Sequence, residues 1–101
     1  MNIETLREYC LSKKAVEESF PFGEDTLVFK VAGKIFLLAG LENNPLQFNA
    51  KCDPEKALEL REQYDAVQPG YHMNKKHWNT VIADGSLSNA LLKEMIDDSY
   101  K

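Results

Sequence analysis

The chain predicts an α+β fold, a two-layer α/β sandwich with helices on one face of a mostly antiparallel sheet. Short runs alternate apolar and polar residues with a period of two, the pattern of half-buried strands. The links between those runs are hairpin-sized, too short for the crossovers that parallel strands need. No strict strand–helix–strand alternation runs through the chain, and that absence points to helices segregated on one side of the sheet. A length of 101 residues suits a single domain, residues 1–101.

The elements follow in order. Asn2 to about Lys13 reads as a helix, with Ile3, Leu6 and Cys10 at three- and four-residue spacing and Asn2 as its N-cap. Lys13 and Lys14 suit the negative end of its dipole. A short strand near Val16 to Phe20 precedes a stretch broken by Pro21 and Gly23. Thr26 to Val31 then sets Leu27, Phe29 and Val31 on one face and Thr26, Val28 and Lys30 on the other. Lys34 to Ala39 is apolar on both faces, as a central strand should be. Only Ala32-Gly33 lies between these two, so a tight hairpin joins them. After the turn signal Asn43-Asn44-Pro45, Leu46 to Lys51 points Leu46, Phe48 and Ala50 inward and Gln47, Asn49 and Lys51 outward.

Asp53-Pro54 opens the clearest helix: aspartate caps, proline fits the first turn, and Ala57, Leu60 and Tyr64 form its buried stripe. Gln68-Pro69-Gly70 reads as a turn, and Tyr71 to Lys76 as irregular polar chain. His77 to Ile82 is strand-like, rich in β-branched and aromatic residues. Asp84-Gly85 ends it, and Ser86 or Ser88 caps a last helix carrying Leu87, Leu91, Met95 and Ile96.

Composition narrows the class of function. No apolar run approaches the roughly 18 residues a membrane span needs. The N-terminus lacks the basic and apolar regions of an export signal, and two distant cysteines, Cys10 and Cys52, make no disulfide framework. A cytoplasmic, monomeric protein is expected. The net charge of -4 opposes binding to phosphate backbones, but it is unevenly distributed. Residues 26–52 carry three lysines against Glu42 alone, and residues 66–83 carry Lys75 and Lys76 with no acid. The rest holds 7 basic and 15 acidic residues. The uncovered sheet face should therefore be polar and positive, with Lys30, Gln47, Asn49, Lys51, His77 and Asn79 on it. The same lysines also fit a merely solvated sheet that discourages edge pairing.

Pro69 to Asn79 is the densest candidate segment, with two cations, two imidazoles, two amides and two aromatics. Lysines neutralise phosphates, amides bond to base edges or phosphate oxygens, and aromatic rings stack on unpaired bases. Tyr71 and Trp78 fit equally well as core residues anchoring the loop. Neither a metal site nor a cofactor is expected: His72 and His77 have no cysteine pair to complete a zinc set. The acidic residues Glu17, Glu18, Glu24 and Asp25 lack calcium-loop spacing. Catalysis is not expected either. Cys52 precedes a helix N-terminus, a setting that lowers thiol pKa, yet nothing in the spacing brings His72 or His77 to it.

At these residues the chain resembles a known family. Pro21-Phe22-Gly23, Val28-Phe29-Lys30-Val31, Gly33-Lys34-Ile35-Phe36, Lys51-Cys52-Asp53-Pro54, the block Pro69 to Asn79 (PGYHMNKKHWN) and Asp98-Ser99-Tyr100 together are similar to the MmcQ/YjbR family of small bacterial proteins. The likeness runs from about Val16 to Tyr100. It implies a CyaY-like sandwich, related in fold to frataxins, and a DNA-binding role through a double-wing arrangement of sheet and loops. Chains of that family usually continue past the Ser-Tyr pair with an apolar stretch, whereas this sequence stops at Lys101. A frataxin-like iron role is not expected, since the first helix offers only Glu4 and Glu8. Together these readings give DNA as the expected partner and Lys30, Lys51, His72, Asn74, Lys75, Lys76, His77 and Asn79 as the candidate contacts. The alternative is a small interaction or regulatory module that docks an acidic protein.

Overall fold

The computed structural model describes residues 1–70 and 73–101. Its elements are α1 (Ile3–Leu11), β1 (Val16–Ser19), β2 (Thr26–Val31), β3 (Lys34–Gly40), β4 (Leu46–Lys51), α2 (Pro54–Gln63), β5 (Val67–Pro69), β6 (Trp78–Ala83) and α3 (Asn89–Tyr100). The strands form one sheet in the order β1-β2-β3-β4-β6-β5, and every neighbouring pair is antiparallel. The helices share one face. Leu6 and Cys10 of α1, Leu60 of α2 and Leu92, Met95 and Ile96 of α3 close over Leu27, Phe29, Leu37, Phe48 and Val81. The α+β sandwich expected from the sequence is the architecture found.

Local chemistry sets the element boundaries. Asn2 caps α1 through a reciprocal box: its Oδ1 accepts from Thr5 N at 2.9 Å, and Thr5 Oγ1 accepts from Asn2 N at 2.9 Å. The helix stops at Leu11, short of the expected Lys13, and Ala15 at φ 61° swings the chain into β1. Ser88, not Ser86, caps α3, accepting from Leu91 N at 3.1 Å; Ser86 bonds Asp84 instead. Tyr64 lies at the end of α2 in extended geometry rather than inside its buried stripe. Ala32 and Gly33, at φ 52° and 76°, form the expected tight hairpin, whose left-handed residues match strand twist.

One turn becomes a strand. Val67–Pro69 pairs with β6 instead of reversing freely at Gln68-Pro69-Gly70. Because β5 lies at the sheet edge, Pro69 lacks no hydrogen bond that the ladder needs.

The helix-free face has a small apolar cluster of its own. Val28, Leu38 and Trp78 are buried there, with Ile35 and Met73 packed against them. A register shift between Phe29 and Lys30 lets Phe36 join the helix side, where it meets Tyr100 edge-on at 5.5 Å. The strand that looked apolar on both faces therefore feeds two cores.

Candidate nucleic-acid interface

The candidate loop is anchored where β4 ends and β6 begins. Cys52 N donates to His77 O at 2.8 Å, and Gly70 N donates to Trp78 O at 2.9 Å. Asn74 closes the turn between them. Its backbone carbonyl accepts from His77 N at 3.2 Å and Trp78 N at 3.0 Å, and its side-chain oxygen accepts from Lys76 N at 3.0 Å. Gly70 is required here: a β-carbon would lie 2.8 Å from Trp78 Cβ and 2.9 Å from its carbonyl oxygen. From the helix layer Arg61 reaches across. Its Nε donates to Asn79 Oδ1 at 2.7 Å, and its Nη2 donates to the carbonyls of Lys75 and Trp78. Sequence reasoning missed Arg61, whose partners here are an amide and two backbone carbonyls.

Not all the predicted contacts share a surface. Asn79 is the clearest correction. It stands opposite Ala50 in the register, so it inherits the helix-facing side, is 2% exposed, and also donates to Ala57 O at 3.5 Å. It positions the loop through Arg61 and offers nothing to the uncovered face. Trp78, opposite Lys51, takes that face instead, and the strand begins there rather than at His77. Asn74, Lys75, Lys76 and His77 are exposed. Lys51 is half-buried with its Nζ 5.2 Å from the Trp78 ring centroid. Lys30 is half-buried opposite Glu17. His72, with Tyr71, lies outside the described residues.

The expected basic sheet face is also corrected. Alternation puts Thr26, Val28, Gln47, Asn49 and Thr80 there, and its strand charges are Lys30 and Lys51 against Glu17. Charge separates along the strands instead. At the end where β2 stops, β3 starts and β4 stops lie exposed Lys14, Lys34, Lys75 and Lys76, none of them ion-paired among the described residues. Asp97 and Asp98 share that end but are already paired, with Lys13 and with Lys56 (2.6 Å), which leaves Asp53, Glu55 and Glu17. The loops at the opposite end carry Glu24, Asp25, Glu42 and Asp84, with no lysine or arginine. Four inter-strand steps separate β1 from β6, so the lysine row spans roughly 20 Å.

A cleft of about 520 Å³ opens at the lysine end, lined by Lys51, Cys52, Asp53, Asn74, His77 and Trp78 among others. Burial raises the Cys52 thiol above its ordinary value, and its Sγ donates to Asp53 O at 3.3 Å. Burial pushes Cys10 up to about 12. Both shifts are opposite to that of an activated thiolate. Among the described residues no three His, Cys, Asp or Glu side chains converge as metal ligands, and no helix is long and apolar enough to cross a membrane.

Known proteins are similar to this chain in sequence and backbone. The YjbR family model matches residues 11–101. An Escherichia coli O157:H7 protein named "uncharacterized protein YbdF" is 42% identical over 97 residues, covering 96% of this chain and 80% of that relative. The protein named "uncharacterized protein YjbR" of Escherichia coli strain K12 is 36% identical, covering 100% of this chain and 86% of its own. Among solved structures, Deinococcus radiodurans protein DR2400, described by its DUF419 domain, superposes with a TM-score of 0.94 at 39% identity, over 98% of this chain and 75% of that one. A Pseudomonas syringae crystal structure gives 0.84 at 27% identity, over 99% and 97%. With a family match over nine-tenths of its length, and relatives this similar in sequence and backbone, the chain belongs to the YjbR family.

Proposed function

We propose that this is a non-catalytic cytoplasmic protein that binds nucleic acid, DNA in the first instance, weakly and with little sequence preference. The contact surface is the lysine end of the sheet with the exposed loop residues Asn74, Lys75, Lys76 and His77. The observation carrying this reading is the row of exposed, unpaired lysines facing away from the acidic end. Lys75 and Lys76 meet phosphates, Lys14 and Lys34 extend the row, and Lys51 lies at its inner edge. Asn74 and His77 add polar contacts. A flexible row of this kind reads phosphate spacing rather than base identity.

Each phosphate neutralised releases counterions, so four contacts give a plot of log affinity against log salt with a slope of about -3.6 on duplex. Anisotropy of labelled DNA across a salt series tests this. Wild type should show that steep dependence, and Lys75→Glu/Lys76→Glu should weaken binding and flatten the slope by about 2. Equal, negligible binding by both proteins rejects the proposal. The overall charge of -4 favours a second reading, in which the same lysines dock an acidic protein. Binding to polyglutamate but not to DNA at matched salt selects that reading.

A further inference from the structure

We infer that Trp78 is a stacking platform for an unpaired base, with Lys51 as its removable cover, so that the protein prefers single-stranded nucleic acid. This rests on the nucleic-acid reading above. Trp78 is only 8% exposed although it lies on the face without helices. Val28 and Leu38 share its apolar cluster, and Ile35 and Met73 pack against that cluster. On the cleft side an ammonium approaches the ring: Lys51 Nζ is 5.2 Å from its centroid, and both residues line the cleft. Lys51 has no ion pair among the described residues.

That arrangement differs from an ordinary core tryptophan. An indole packed by apolar side chains on both faces accepts a base only if the core opens. Here the indole borders an open cleft, and Lys51 is the charged side chain that has to rotate for a base to reach it. A base sliding over the indole replaces a cation–π contact with aromatic stacking, the stronger of the two. The displaced ammonium is then free to meet the phosphate of the same nucleotide. Asn74 and His77, on the cleft wall, supply polar groups at the edge of the base. Duplex bases are already stacked on each other and cannot enter the cleft, whereas any unpaired base can, which makes the site strand-selective and sequence-tolerant.

Trp78 is the chain's one tryptophan, so its emission reports the site directly. The full chain is titrated at low salt with an end-labelled thymine oligonucleotide and with its duplex, following anisotropy and tryptophan emission together. The expected result is tighter single-strand binding, by about tenfold, with indole quenching that follows the anisotropy curve, and duplex binding that leaves emission unchanged. Trp78→Phe should narrow the single-strand preference without weakening duplex binding; the wild-type emission stands as a readout should that variant fold poorly. Single-strand binding with unchanged emission, or identical quenching by duplex, overturns the stacking role and leaves the lysine-row proposal standing. Absence of binding to either form overturns both.

Discussion

At Ala32 the backbone sits at φ 52°, where a β-carbon crowds the following carbonyl. The next residue, Gly33, completes a turn that prefers Asn-Gly. Ala32→Asn should therefore raise stability by about 0.5–1 kcal/mol, read as a higher urea midpoint with unchanged slope. Asp97 offers a second test. Burial would raise its carboxyl, but hydrogen bonds from Lys13 and Tyr9 outweigh burial and hold it below the ordinary carboxylate value. A depressed folded pKa contributes stability that is complete above the unfolded value, near 3.9, and disappears as pH falls through the folded one. Thermal melts should show Asp97→Asn less stable than wild type at neutral pH, with the gap closing in acid. A gap independent of pH would mean the carboxylate charge contributes nothing.

Arg61 ties α2 to the loop and to β6, and its loss strands Asn79 Oδ1 and the Lys75 carbonyl, while the Trp78 carbonyl keeps Gly70 N. Arg61→Ala should lower stability by about 1–3 kcal/mol in chemical denaturation. Hydrogen exchange should quicken first at the amides of His77 and Trp78. The helices were legible because cap residues and apolar spacing declare them locally: Asn2 and Ser88 make cap hydrogen bonds and Pro54 opens α2, although Asp53, expected to cap it, makes no side-chain cap hydrogen bond. The three-residue β5 was not, since so short a strand cannot display a period. The faces of β6 are the reverse of those the sequence suggests. Alternation says only that Trp78 and Asn79 oppose each other, and the pairing Ala50 with Asn79 decides which one meets the helices. Arg61 gave no local signal, because its carbonyl partners lie 14 and 17 residues away.

Across the whole molecule, the uneven charge was legible but its axis was not. The basic segments were identifiable from Lys30, Lys34, Lys51, Lys75 and Lys76 alone. Placing them at one end required the direction of each strand, and only the antiparallel order β1-β2-β3-β4-β6-β5 supplies that. A chain with net charge -4 that holds a row of exposed, unpaired lysines at one pole and Glu24, Asp25, Glu42 and Asp84 at the other behaves as a macroscopic dipole. It should therefore adhere pole-first to chromatographic media of either sign. At low ionic strength and neutral pH, a sulfonate resin should retard it, although its overall charge predicts flow-through, and a quaternary-amine resin should retain it as well. Lys75→Glu/Lys76→Glu should remove the first behaviour and keep the second.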